Sequence, residues 1–337
     1  MEYIVIDTES CTGSTTDGSL CSIGYVIANE KLQALYYKDI LINPLPKKFA
    51  VGDKKNLKRT GVMFAYSEEE FRKAPTFKFL YDEIVNLLTD RIVLGFSMAN
   101  DVKYINDVCD KFNLPRITYR YMDIQFLYQL LYPNENSIGL KTLAKRYGIE
   151  YTEHRSDEDA IVSLKILNSF LAGKSYTYNN LIAEYDVKYG INCAKGYHTP
   201  YSVALFRQEK GLKLSRKLQN YIFTEYLSAL PKKLSGEIYC FSYGIEKLNP
   251  DLLRSFIDKI YLEKNSFTRD ADLCSIYVRL NENELNDSKL LIVQQTSKRI
   301  KRIITLKELQ QELNIIKCKK YDDTKLLTSL YEKLNRQ

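Results

Sequence analysis

The sequence predicts an α/β protein: a mixed sheet with helices on its faces, followed by a connector and a second, smaller α/β unit. Three observations predict it. β-Rich runs follow one another at the start, helix and strand patterns then alternate to about residue 171, and a β-α-β pattern returns after Gly236. At 337 residues the chain is also longer than one hydrophobic core usually supports.

Residues 3–8, 21–28 and about 34–43 are rich in β-branched and aromatic residues, and Gly, Ser, Asp and Asn fill the turns between them. Three sequential strands predict an antiparallel meander. Phe77, Phe79, Leu80, Ile84, Leu87 and Leu88 recur at helical spacing over 76–89, and the apolar run Ile92 to Phe96 reads as a buried strand. A helix near 100–112, a strand near 119–124 and helices near 140–147 and 157–171 complete a five-stranded sheet. The first domain, 1–174, closes at Lys174. Residues 175–233 are Tyr-rich, with breaks at Pro200 and Pro231, and predict a helical linker or connector. The second domain, 234–315, carries strand Ile238–Ser242, helix Asp251–Leu262, strand Ser275–Leu280 and a helix near Leu306–Leu313, and 316–337 is expected to be a helical tail.

Hydrophobic residues at 45% and charged residues at 27% exclude neither unit from a packed core. No run approaches the roughly 18 apolar residues of a membrane span, and the first residues enter an acidic strand without a secretory pattern. A cytoplasmic protein with no membrane partner is expected. Seven cysteines without a CxxC pair predict reduced thiols and argue against a structural zinc. Only His154 and His198 can supply an imidazole.

The formal charge of +7 is uneven: residues 1–170 sum to −2 and residues 171–337 to +9. Lys213, Arg216 and Lys217, and later Lys298, Arg299, Lys301 and Arg302, are dense enough to contact phosphates. Solvated helix faces would look the same.

Asp7 and Glu9 stand two apart at the end of the first strand, so a period of two sends both side chains to one face. Converging carboxylates are costly unless a cation neutralises them, and oxygen ligands favour Mg²⁺ or Mn²⁺. An acidic strand end facing water would read identically. Asp101 follows the strand at 92–96 and stands near a helix start, where an Asp also serves as a plain helix stabiliser. His154 precedes the helix from which Asp159 projects, and Asp157 and Glu158 between them suit its first turn. In combination these residues match a metal-assisted phosphodiesterase. Two cations held by four carboxylates can stabilise both oxygens of an in-line phosphoryl displacement, and a histidine beside them can take a proton from water.

The chain resembles the DEDDh exonucleases, which include the proofreading epsilon subunit of bacterial DNA polymerase III. The resemblance spans about residues 1–172 and rests on several motifs in order. They are Ile4-Val5-Ile6-Asp7-Thr8-Glu9, Cys21-Ser22-Ile23-Gly24, Ala74-Pro75-Thr76-Phe77, Gly95 with Asp101, Gly139-Leu140-Lys141-Thr142-Leu143-Ala144, and His154 to Ala160. It implies an RNase H-like fold, Asp7, Glu9, Asp101 and Asp159 as ligands of two metals, and His154 as general base. It also implies a nucleic acid with a free 3′ end as substrate, with Thr8 and Phe96 candidates to touch the terminal nucleotide. Gly95-Phe96-Ser97-Met98-Ala99-Asn100 departs from the Gly-His-Asn start usual before the third carboxylate, which bears on the grip on substrate.

Residues 234–315 resemble a BRCT domain. The resemblance rests on Ser235 to Ser242, helix Leu252–Leu262, strand Cys274–Leu280 and the closing segment Ile303 to Leu309. It implies a tethering role towards DNA or a protein partner, with Ser242 and Lys289 near where phosphate-binding members place their ligands. The basic run Lys298 to Arg302 points to nucleic acid.

Overall fold

Hydrophobic alternation along the first strand decides how the sheet is clothed. In a computed structural model, which describes residues 2–135, 137–231, 235–295, 300–315 and 318–335, the chain forms two compact units, Met1–Lys213 and Leu214–Gln337.

The first unit opens with the expected meander: β1 (Tyr3–Ser10), β2 (Leu20–Ala28) and β3 (Ala34–Leu41) pair antiparallel in order. Short helices α1 (Leu57–Thr60) and α2 (Glu68–Lys73) precede α3 (Phe77–Thr89), β4 (Ile92–Gly95), α4 (Ala99–Lys111) and β5 (Tyr119–Asp123). Both β4 and β5 run parallel to β1. Helices α5 (Ile124–Leu131), α6 (Leu140–Arg146) and α7 (Ser156–Gly173) follow. Tyr3 and Val5 face the core that α5, α6 and α7 build, while Ile4 and Ile6 face the core of α3 and α4. Each face of β1 therefore belongs to a different helix layer.

The sheet has seven strands rather than five, because the first unit continues past Lys174 to Lys213. After α8 (Tyr178–Glu184) come β6 (Val187–Lys188), β7 (Gly190–Cys193), β8 (Gly196–His198), β9 (Tyr201–Ser202) and α9 (Val203–Arg207). Strand β7 pairs antiparallel with β5 and β8 with β7, giving the order β3-β2-β1-β4-β5-β7-β8, while β6 and β9 form a separate ladder. Buried Asn192 locks β7 in place by exchanging amide hydrogen bonds with Asn106, both at 2.8 Å. The stretch expected to be a helical connector thus holds α8 and α9 and, between them, adds β7 and β8 to the edge of the sheet. The architecture, a mixed sheet with helices on both faces, is RNase H-like as expected.

The second unit begins with α10 (Arg216–Ser228) and contains β10 (Ile238–Phe241), α11 (Tyr243–Glu246), α12 (Pro250–Leu262), β11 (Ser266–Phe267) and β12 (Ile276–Arg279). It ends with α13 (Ser288–Gln295), β13 (Arg302–Thr305), α14 (Leu306–Glu312) and α15 (Thr324–Asn335). Its four strands are all parallel, in the order β11-β10-β12-β13. Tyr239 and Phe241 pack on Phe256 and Ile257 of α12, whereas Cys240 and Tyr277 face Leu290 and Val293 of α13. The tail is fastened by buried Arg254, which pairs with Asp251 at 2.8 Å and Asp323 at 2.7 Å and lies 4.3 Å from the Tyr321 ring. All seven cysteines are free thiols. No helix among the described residues is long and apolar enough to cross a membrane.

Candidate active site

The carboxyl ends of β1, β4 and β5 meet at one edge of the sheet, where β1 lies between an antiparallel and a parallel neighbour. The chain continues from β1 to β2 on one side and to β4 on the other, and a switch in strand order of this kind leaves a crevice at the carboxyl ends of the strands. Odd positions of β1 face α7, so Asp7 and Glu9 turn towards Asp159 on that helix, and one oxygen of each of the three carboxylates lies within 4.8 Å of the others. The even position between them faces α4. There the Thr8 hydroxyl donates to Asp101 Oδ1 at 2.7 Å, and both side chains are buried. Three of the four expected carboxylates converge directly, and Thr8 holds the fourth beside them.

Close backbone packing makes this convergence possible. Gly24 of β2 lies against the first turn of α7, where a Cβ would sit 1.9 Å from the Ser156 carbonyl carbon and 2.0 Å from the Asp157 nitrogen. Hydroxyls fix the same turn: Ser156 shares a hydrogen bond with Ser22 and donates to Asp39 at 2.8 Å, and Tyr66 donates to the other Asp39 oxygen at 2.8 Å. Asp157, expected among the first-turn acids, is buried and pairs with Arg155 at 2.9 Å. Glu158 accepts the Thr152 amide at 2.6 Å.

At the other corner Asp123 caps α5 and also accepts the amides of Ser97 at 3.0 Å and Met98 at 3.1 Å, clamping the turn that leads into α4 and Asp101. The sequence reading passed over Asp123, although an Asp between a strand and an apolar helical run is itself a capping signal. Gly95 brings β4 against β1, since a Cβ there would lie 2.8 Å from the Ile6 carbonyl oxygen.

His154 occupies the left-handed region at φ 60°, and its carbonyl accepts the Ala65 amide at 3.2 Å. Its Nδ1 lies 3.2 Å from Glu9 Oε1, and the ring remains partly open to solvent. That hydrogen bond raises the imidazole pKa against the opposing effect of burial. Burial, reinforced by the charges of Asp159, Asp101 and Glu9, pushes the Asp7 carboxyl well above its usual range. Burial likewise raises Asp101 to about 7, against the Thr8 hydrogen bond, and raises Asp159 to about 7 with help from Glu9. Carboxylates so raised and so close repel one another until a cation enters, and an all-oxygen donor set suits Mg²⁺ or Mn²⁺. The residues fit a divalent metal.

The remaining candidates fare differently. Phe96 is buried in the core with Leu94 and Leu127. Lys301 pairs with Glu237 at 2.7 Å and Arg302 with Glu312, while Lys298 and Arg299 lie outside the described residues. Ser242 caps α11, and buried Lys289 donates to the Phe241 carbonyl at 3.0 Å and pairs with Glu246 at 2.7 Å. Both are committed internally, which removes them as ready phosphate ligands.

The likeness among known proteins is to 3′-5′ exonucleases. No family model matches the chain. Over 101 residues it is 30% identical to a Staphylococcus epidermidis protein named 3′-5′ exonuclease DinG, covering 30% of this chain and 11% of that protein. Over 168 residues it is 24% identical to the protein of the same name from Staphylococcus aureus strain MRSA252, covering 49% of this chain and 18% of the relative. The chain therefore spans less than a fifth of the length of these curated relatives. Among solved structures it is similar to exonuclease X in complex with 5′ overhanging duplex DNA, at 14% identity and TM-score 0.39, covering 53% of this chain and 96% of that one. It is also similar to the nuclease domain of 3′hExo, a DEDDh family member bound to rAMP, at 15% identity and TM-score 0.40, covering 51% and 92%.

Proposed function

We propose that the first unit is a metal-dependent 3′-5′ exonuclease that hydrolyses phosphodiester bonds at the 3′ ends of nucleic acid, DNA in preference to RNA. The convergence of Asp7, Glu9 and Asp159 at a strand end, with His154 on Glu9 and Asp101 on Thr8, carries this reading. Sequence likeness to relatives named 3′-5′ exonuclease DinG supports it. Asp7, Glu9, Asp101 and Asp159 would hold two Mg²⁺ or Mn²⁺ ions, which when bound stabilise the attacking and leaving oxygens of an in-line displacement. The His154 Nδ1–H donates to Glu9 Oε1, which fixes the tautomer whose Nε2 can accept a proton from the attacking water. Thr8 is a positioning residue, since its hydroxyl aims Asp101. The all-parallel sheet of the second unit, with helices against both faces, supports a BRCT-like module that tethers the nuclease to nucleic acid or to a protein partner.

Digestion of 3′- and 5′-labelled single-stranded and duplex DNA and RNA with Mg²⁺ or Mn²⁺, beside Asp7→Ala, tests this. Stepwise shortening from the 3′ end, faster on DNA and absent in the variant, is expected, and His154→Ala should slow it by about two to four orders of magnitude. No shortening of any substrate would overturn the reading and leave a non-catalytic adaptor on a nuclease scaffold.

A further inference from the structure

We infer that the excursion between β3 and α2, residues 44–66, is a track that holds the sugar-phosphate backbone of a nucleic-acid strand beside the carboxylate site. The inference rests on the nucleic-acid reading above. Lys47, Lys48, Lys54, Lys55, Lys58 and Arg59 lie in this stretch against a single acid, Asp53. Lys48, Lys54, Lys55, Lys58 and Arg59 are exposed, and none of the six is in an ion pair among the described residues. Asp53 is spent on the amide and side chain of Asn56, at 2.8 and 2.9 Å. The acids just beyond are also committed: Glu68 pairs with Arg72, Glu69 with Lys73, and Glu70 closes the cap of α2. The positive charge of the excursion is therefore uncompensated.

Both ends of the excursion are tied to backbone next to site residues. The amides of Ala50 and Val51 donate to the Cys11 carbonyl at 2.8 and 3.1 Å, two residues beyond Glu9, and Ala65 donates to the His154 carbonyl. Beneath it Phe49, Phe64 and Phe71 pack with Cys11 and Cys21, anchoring the excursion to β1 and β2. A strand carrying one negative charge per phosphate is repelled by a cluster of carboxylates unless cations stand nearby, because screening confines their reach to about 10 Å at 0.1 M salt. The excursion supplies cations within the same unit, on a segment hydrogen-bonded to the Cys11 and His154 carbonyls.

Binding of a labelled single-stranded DNA oligonucleotide to the full chain, followed by fluorescence anisotropy in EDTA over a salt titration, tests the track without turnover. With Lys54→Gln, Lys55→Gln, Lys58→Gln and Arg59→Gln combined, the Kd at about 0.1 M salt should rise at least about tenfold, and the salt slope should fall by up to about 3, or about 0.7 per lost phosphate contact. A control with Lys31→Gln, Lys78→Gln, Lys174→Gln and Lys195→Gln makes the same charge change elsewhere on the first unit and should shift neither by as much. If the Arg59 change disturbs folding, the pair Lys54→Gln and Lys55→Gln should still lower the slope by up to about 1.4. An unchanged slope, or an equal loss in the control, would overturn the track. So would retained oligonucleotide binding with lost binding to phosphatidylserine vesicles, which would assign the patch to a lipid surface. Asp7→Asn separates the two readings. Turnover lost in that variant with unchanged binding in the four-fold variant keeps the nuclease and removes the track. No turnover in the unaltered chain with weakened binding in the four-fold variant does the reverse.

Discussion

Gly24→Ala places one methyl group where the fold has no room for it. The new carbon would meet the Ser156 carbonyl carbon at 1.9 Å, the Asp157 nitrogen at 2.0 Å and the Ser156 oxygen at 2.2 Å. Uncrowded carbon contacts begin near about 3.5 Å, so the start of α7 must retreat from β2 by more than about 1 Å. The obstacle is backbone at a helix start, which cannot step aside as a flexible side chain would. Overpacking of this kind costs about 1–3 kcal/mol, and the upper end is expected here. The retreat also moves Asp159, which lies in that same turn, away from Asp7 and Glu9. A displacement of about 1 Å at a reacting centre lowers turnover about a hundredfold. Urea denaturation followed by circular dichroism, together with kcat for 3′ trimming, measures both effects. Gly139→Ala is the control, since a Cβ there meets nothing within 4 Å at an ordinary negative φ. If Gly24→Ala keeps wild-type stability and turnover, the close approach of β2 and α7 does not set the position of Asp159.

Two further outcomes are expected. Thr8→Val removes the hydrogen bond to Asp101 from a buried site, which costs about 1.5–3 kcal/mol for a bond to a charged group, and should cut kcat at least about tenfold while Thr8→Ser restores it. Equal activity in Thr8→Val and the parent chain would remove its positioning role. Burial raises the Asp39 carboxyl to about 6 from an ordinary 3.8, so the stability its neutral form contributes is full below pH 3.8 and is lost as pH rises through about 6. The stability of Asp39→Asn relative to the parent should therefore climb by up to about 3 kcal/mol between pH 4 and pH 7, and a flat difference in urea titrations would show that Asp39 ionises normally.

How far the site could be read from the chain follows from which contacts are local. Asp7 and Glu9 were legible because a strand has a period of two, and the same period turns the Thr8 side chain between them to α4 and Asp101. The helix starts carrying Asp101 and Asp159 were legible from their patterns, whereas the Gly24 contact that sets one of them spans more than a hundred residues. Strands β7 and β8 are four and three residues long, too short for alternation to declare, and only pairing with β5 makes them part of the sheet.

Charge was the least legible property of all. Counting along the chain singled out Lys298 to Arg302, yet the fold brings Glu237 to Lys301 and Glu312 to Arg302. The run Lys47 to Arg59 is masked in the sequence, being diluted by Phe49, Val51 and Leu57 and followed within the same connection by Glu68, Glu69 and Glu70. In the structure those acids turn to Arg72, Lys73 and the α2 cap, and the lysines keep their charge. A basic run attracts a polyanion only by the charge that its own fold leaves unpaired. By that criterion the unpaired cations of residues 44–66 outrank Lys301 and Arg302, and it is their removal that should flatten the salt dependence of binding.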